Sequence, residues 1–145
     1  MAAGLWTFYN DGKKHLGDGG IDLDTHAFRM QLHTGSSNAA TLTLSDIGQV
    51  TNQVANQFGY LSSGKLLTGV TWLPGSLASK MRFTCDPVVW TASGGSISDI
   101  LYAVISDVTG GLLVCYSKLS DSQFSVTSGN ALTVSPASNG IFELS

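Results

Sequence analysis

Charged residues are scarce in this chain of 145 residues. They make up 12% of it, against roughly 25% in a typical soluble domain. Lysine and arginine together number 7, and the net charge is −3. A nucleic-acid-binding surface needs clustered basic residues, so we expect no nucleic-acid partner. No apolar run approaches the roughly 18 residues of a membrane helix. The N-terminus also lacks a basic, apolar secretory signal, so we expect no membrane partner either.

The residues that usually carry enzyme chemistry are also few. Glu143 is the sole glutamate, and His15, His26 and His33 are the three histidines. A glycosidase needs two carboxyl groups flanking a sugar cleft, and the chain has no G-x-S-x-G nucleophile elbow. Each histidine has an ordinary structural interpretation, with His33 on the polar side of its strand. We therefore expect no catalytic residue, no enzyme activity and no cofactor.

Cysteine and acidic clusters add little chemistry. Cys85 and Cys115 lie on separate predicted strands, without zinc-ligand spacing, and we expect two free buried thiols. Asp18, Asp22 and Asp24 form the densest acidic group, but they lack the calcium-loop pattern and its bidentate glutamate. Two interpretations stay open for them: a weak calcium site, or a charged strand edge that blocks strand addition. We expect no metal site.

Short alternating segments dominate what remains, with turn residues roughly every 8–12 positions. They predict a single-domain, all-β, antiparallel β-sandwich or jelly roll of about eight strands. Residues 21–33 predict a strand that alternates most clearly over 27–33, and residues 97–108, apolar on both faces, predict one central strand. Residues 1–20 form a predicted N-terminal helix and turn, acting as an arm or a core plug, with the helix over 4–16. Residues 21–145 form the sandwich, with a polar excursion at 45–64.

The low charge has two explanations: a hydroxyl-rich sheet face, or a surface buried against other subunits, since interface cores are depleted in charge. We favour a mixture that leans towards assembly. Two segments are candidate contact surfaces, an N-terminal apolar cluster and the amide-rich excursion. Their candidate interface residues are Leu5, Trp6, Phe8, Tyr9, Gln49, Asn52, Gln53, Asn56 and Tyr60.

Seven segments carry a resemblance to a known family. They are 5–14 (LWTFYNDGKK), 21–24 (IDLD), 28–32 (FRMQL), 37–42 (SNAATL), 50–55 (VTNQVA), 67–72 (LTGVTW) and 89–97 (VWTASGGSI). In these segments the chain resembles small virion structural proteins of tailed bacteriophages. The resemblance implies a capsid decoration or cement protein on the capsid exterior, assembled in the bacterial host cytoplasm. Its implied partners are the major capsid protein and further copies of itself, as a homo-dimer or homo-trimer.

Two other functions stay open. A head–tail connector or tail component of low copy number would have the same composition. A carbohydrate-binding module on the virion surface would use Trp72, Trp90 or Tyr60 as a platform on which sugar rings stack.

Overall fold

The computed structural model describes residues 5–145, and this part of the chain is mostly β. It contains one α-helix, α1 (Asn10–Asp18), one 3-10 helix (Ile47–Gln49) and twelve strands. The strands are β1 (Trp6–Phe8), β2 (Phe28–His33), β3 (Lys65–Leu66), β4 (Thr71–Pro74), β5 (Met81–Thr84), β6 (Val88–Thr91), β7 (Ile97–Ile100), β8 (Tyr102–Asp107), β9 (Leu113–Lys118), β10 (Phe124–Val126), β11 (Ala131–Val134) and β12 (Phe142–Leu144). Neither helix has the length or the apolar character to span a bilayer.

A five-stranded sheet with the order β1-β9-β8-β2-β3 forms one layer, and all its neighbouring strands are antiparallel. Strand β2 alternates as predicted, with Phe28, Met30 and Leu32 buried in the main core. Strand β8 lies at the centre and is buried from Ala103 to Asp107. A β-bulge opposite Ser106 shifts the register of β9. Leu113 therefore faces one side of the sheet and Cys115 the other.

Three small antiparallel sheets form the second layer: β10-β7, β11-β6 and β12-β5-β4. Their inward side chains, among them Phe83, Trp90, Ile97 and Leu132, join those of the five-stranded sheet in one core. The predicted all-β sandwich is confirmed. A closed jelly roll is not established, because the strands of the second layer are divided among separate short sheets.

Residues 97–108 form two strands rather than one. The chain leaves the second layer after Ile100 and enters the five-stranded sheet at Tyr102. Asp99 has a φ of 65°, in the left-handed region, which bends the chain just before the switch. Both strands are buried, β7 in the second layer and β8 in the five-stranded sheet. The apolar residues on both faces of 97–108 therefore also fitted the prediction of a single central strand.

The outer face of the five-stranded sheet is also covered. Tyr9, Ala39, Val104 and Leu113 are buried there as a second cluster, and Leu44, Ile47 and Val50 pack against it. The 3-10 helix in this covering segment begins with a capping box between Asp46 and Gln49. Each end residue satisfies a backbone N–H of the other, which fixes a segment whose strand pairing is an isolated bridge between Asp46 and Leu112.

The predicted helix over 4–16 is wrong in its position. Residues 6–8 form strand β1, which pairs with β9, and α1 covers Asn10–Asp18. Residue 4 lies outside the described residues. Aromatic and β-branched residues favour a strand in Trp6-Thr7-Phe8, and the sheet edge beside β9 gives that strand a partner. The helix ends at Gly19, whose φ of 84° supplies a left-handed cap.

Gly12 in the middle of α1 is explained by a close approach between helix and sheet. A β-carbon at this position would lie 2.8 Å from the carbonyl oxygens of both Leu113 and Val114. The helix therefore rests directly on the backbone of β9. Gly17, also in α1, has no atom within 4 Å of the equivalent point.

These two glycines give a matched test of helix docking. We expect Gly12→Ala to lower the free energy of unfolding by about 1–3 kcal/mol, the typical effect of overpacking. Gly17→Ala should raise it by up to about 1 kcal/mol, because alanine is the better helix former. Urea unfolding of both variants measures the difference. Equal effects of the two substitutions would contradict the direct contact between α1 and β9.

Candidate functional site

The N-terminal candidate residues lie mostly inside the protein. Leu5 is 93% exposed, Trp6 is half-buried, and Tyr9 is fully buried. The Tyr9 hydroxyl donates a hydrogen bond to the carbonyl oxygen of Ala39 at 2.5 Å. Burial raises the Tyr9 pKa well above its ordinary value. The ring of Phe8 packs edge-on against that of Phe142, with 4.4 Å between centroids. Phe8 and Tyr9 therefore stabilise the fold, and Leu5 alone presents a largely exposed side chain.

The amides of the excursion bond mainly to backbone groups of the excursion, and Asn52 bonds to the preceding loop. Oε1 of Gln49 accepts from the backbone N–H groups of Ser45 and Asp46. The other amide contacts are Asn52 Nδ2 to the Ser36 carbonyl, Gln53 Nε2 to the Ser62 carbonyl and the Ser62 N–H to Asn56 Oδ1. A long loop that pairs with other segments only at isolated bridges, such as that between Gln53 and His33, must satisfy its remaining backbone groups in another way. These side chains do so, and three of them, Gln49, Asn52 and Asn56, are also exposed, so the partner role suggested by the sequence stays a prediction.

Tyr60, the last candidate of the excursion, is buried in the main core. Its hydroxyl accepts from the backbone N–H of Leu32 at 2.9 Å and from Nε2 of Gln53 at 2.8 Å. Its ring lies 6.1 Å from that of Trp90. Burial raises the pKa of Tyr60. The side chain of Tyr60 thus anchors the excursion and is not part of the surface.

The excursion does expose a different aromatic residue, Phe58. Gln57 and Tyr60 exchange backbone hydrogen bonds of 3.1 and 2.8 Å around a two-residue turn. Phe58 and Gly59 have φ values of 45° and 112°, as a type I′ turn requires. Asparagine or glycine is the usual first residue of such a turn, and a bulky residue there is strained by roughly 1–2 kcal/mol. The ring of Phe58 lies against Gly95, yet it stays 48% exposed.

Other apolar side chains are exposed in the chain that follows Phe58 and on β6. The chain from Phe58 to Leu66 follows the free edge of β6, since the Ser93 N–H donates to the Phe58 carbonyl and the Lys65 ammonium donates to the Val89 carbonyl. Leu61, Leu66 and Val89 are 65%, 53% and 39% exposed. We call Phe58, Leu61, Leu66 and Val89 the Phe58 rim. Its sequence signal was weak, because exposed apolar residues in a loop look like core residues.

His33 is buried, which corrects the predicted polar position. Its Nδ1 donates to the carbonyl of Thr51 at 3.1 Å, and its Nε2 is buried without a hydrogen-bond partner. Burial lowers the pKa of His33. The neighbouring backbone bonds Thr34 N–H to Asn52 and Val54 N–H to Leu32 join the same two segments. His33 therefore fastens the excursion to β2 as a neutral side chain.

This burial predicts a pH dependence of stability. The unfolded chain binds a proton at His33 near pH 6.5, while the folded chain does so only at lower pH. The free energy of unfolding should therefore fall as pH drops below 6.5. His33→Asn retains a donor near the position of Nδ1 and should flatten this slope in urea titrations between pH 7 and 5. His15→Asn is the control, and an unchanged slope in His33→Asn would contradict the prediction.

His26 and the acidic residues have structural roles. Nδ1 of His26 lies 2.5 Å from Oδ2 of buried Asp107, which fastens the turn before β2 to the β8–β9 hairpin. Asp22 accepts the backbone N–H groups of Asp24 and Thr25, and Asp18 accepts that of Gly20. Within residues 5–145, no three His, Cys, Asp or Glu side chains converge as metal ligands.

The two thiols are free and buried, as predicted. Burial and the nearby Asp86 carboxylate raise the pKa of Cys85 to about 11. Burial also raises the pKa of Cys115 above its ordinary value. A nucleophilic cysteine needs a lowered pKa and access to solvent, so both thiols behave as small apolar core residues.

Of the three residues suggested for a sugar platform, only Trp72 reaches the surface. Trp90 and Tyr60 are both buried. Trp72 lies on the inner face of the β12-β5-β4 sheet, 6.1 Å from the ring of Phe142, and lines a groove of about 380 Å³. Asp22 and Asp24 lie on the same groove, which we call the Trp72 groove.

Comparison of the chain with protein-family models, with curated proteins and with solved structures finds no match.

Proposed function

We propose that this protein is a non-enzymatic structural component of a tailed-phage virion, a decoration or cement protein on the capsid exterior. It bridges neighbouring major capsid proteins and associates with copies of itself as a dimer or trimer. The resemblance of the sequence to small phage virion proteins supports the proposal, and so does its low content of charged residues.

The observation that carries the proposal is the Phe58 rim. A strained turn holds an aromatic side chain half in water, where asparagine would be the more stable residue. Local strain of this kind persists where the surrounding structure enforces it, and it clusters at functional positions. Aromatic residues are typical of the centre of protein–protein interfaces, and in the Phe58 rim the neighbouring Lys65 ammonium is bonded to the Val89 carbonyl. We therefore propose the Phe58 rim as a capsid-binding surface.

The rest of the fold holds the Phe58 rim rigidly, which suits a structural role. Both faces of the five-stranded sheet are covered, and the excursion that carries the Phe58 rim is fixed by Tyr60, His33 and its own amides. A surface held this rigidly loses little conformational entropy when it binds. Many copies on a symmetric lattice add many such contacts, so each copy needs only a modest affinity.

The decisive experiment removes the aromatic ring without harming the turn. Phe58→Asn places the favoured residue in the type I′ turn, so the free energy of unfolding should stay unchanged or rise. The loss of a central apolar contact should weaken binding to capsids stripped of this protein by at least roughly tenfold, as for a residue that dominates an interface. Co-sedimentation with the capsids and urea unfolding measure the two effects.

Leu77→Ser is the matched control, because Leu77 is an exposed leucine in the turn between β4 and β5, outside the Phe58 rim. It should bind capsids like the unmodified protein. Undiminished capsid binding by Phe58→Asn would contradict the assignment of the rim.

Copy number separates decoration from a connector or tail role. A decoration protein covers the whole lattice and should approach the copy number of the major capsid protein. A connector forms a single ring at one vertex. Quantitative mass spectrometry of purified virions measures the ratio, and a ring-sized number would favour the alternative.

A further inference from the structure

The Trp72 groove is a concave site that the proposed function does not use. It lies between the end of α1, with the turn that follows, and the inner face of the β12-β5-β4 sheet. Leu16 and Leu23 line it from the first side, and Trp72 and Leu144 from the second. Its volume of about 380 Å³ is within the range of small-ligand sites.

The apolar wall exists because the β12-β5-β4 sheet extends past the core. Trp72 and Pro74 share a face of β4, and Phe142 and Leu144 share the matching face of β12. Phe142 packs against the core, whereas Leu144 is exposed and Trp72 is half-exposed. At the ends of β4 and β12, the apolar face that packs in the core thus continues into solvent.

The opposite rim of the groove is acidic. The side chains of Asp22 and Asp24 are exposed, and no basic residue is among those that line the groove. The hydrogen bond from the Thr25 side chain, together with those from the backbone N–H groups of Asp24 and Thr25, holds the pKa of Asp22 below its ordinary value. Within residues 5–145, the carboxylate of Asp24 accepts no hydrogen bond. The groove therefore combines an indole ring, leucine side chains and exposed carboxylates.

This combination favours one class of ligand. An organic cation is attracted both to an indole ring and to carboxylates, and its apolar stem would contact the leucines. A saccharide would stack on the indole, but it would leave much of its polar edge against aliphatic walls, where unsatisfied polar groups are costly. An anion would meet two carboxylates.

We propose that the Trp72 groove binds an organic cation, an alkylammonium or guanidinium group on an apolar stem. The cation comes either from a lysine or arginine side chain of a partner protein or from a free amine. Asp22 and Asp24 contact the charged group, which lies over the face of the Trp72 ring. Leu16 and Leu144 contact the stem. The inference does not depend on the proposed capsid role, because it concerns a different surface.

To test this, the ¹⁵N-labelled protein is titrated with n-butylammonium and with n-butylguanidinium. The NMR signals of the Trp72 indole N–H and of the Asp22 and Asp24 backbone amides are followed. We expect saturable shifts with a dissociation constant on the order of millimolar, as for a small ligand with few contacts. Uncharged n-butanol should bind at least roughly tenfold more weakly. Acetyl-lysine and acetyl-arginine methylamides form the second arm. Tighter binding of these amides identifies a partner's side chain as the source, and tighter binding of the free amines identifies a free amine.

Two variants link binding to the groove. Asp24→Asn should weaken butylammonium binding by roughly fivefold or more, since it removes one charged partner. Leu144→Lys adds a cation at an exposed wall position and should weaken binding similarly without disturbing the core. Asp121→Asn changes the net charge equally at an exposed site outside the groove and should have no effect. Saturable shifts with methyl glucoside instead of the cations, or no shift with any probe, would overturn the proposal.

Discussion

The structure depends on the burial of the five-stranded sheet on both faces. An antiparallel sheet can leave one face in water, but here β8 and β9 carry apolar side chains on both sides. The second layer covers one face. Tyr9 and the chain around the 3-10 helix cover the other, without forming a sheet of their own. Many of the irregular segments are therefore determined by the need to keep water from this sheet.

Because loop covers this sheet, polar side chains take on a structural role. A cover made of loop has backbone groups without strand partners, and the protein satisfies them with Gln49, Asn52, Gln53 and Asn56. The scarcity of charge has the same origin in part, since uncharged amides and hydroxyls can be half-buried in a loop at lower cost than charged groups. The same loop exposes the apolar side chains of the Phe58 rim, and Gln49, Asn52 and Asn56 are exposed as well.

The sequence predicts the parts of this fold whose signals are local. Alternation identifies β2, and the glycine pair at 110–111 identifies the β8–β9 hairpin. It does not predict that Trp6-Thr7-Phe8 forms a strand, because the partner of that strand is β9, far along the chain. It also does not separate Tyr60 from Phe58, since both are aromatic residues in one polar loop, and only the turn geometry decides which ring is buried. The Trp72 groove forms where β4 and β12 lie beside the end of α1. No single residue in the sequence predicts this arrangement.

The pairing of β1 with β9 joins the first strand of the chain to a strand in its last third. During synthesis, Trp6 and Phe8 emerge early but have no partner until β8 and β9 have left the ribosome. Contacts between distant parts of a chain slow folding, and apolar segments left waiting are prone to aggregation. The first strand is thus among the last to find its place, and the yield of soluble protein is sensitive to how quickly the nascent chain is completed.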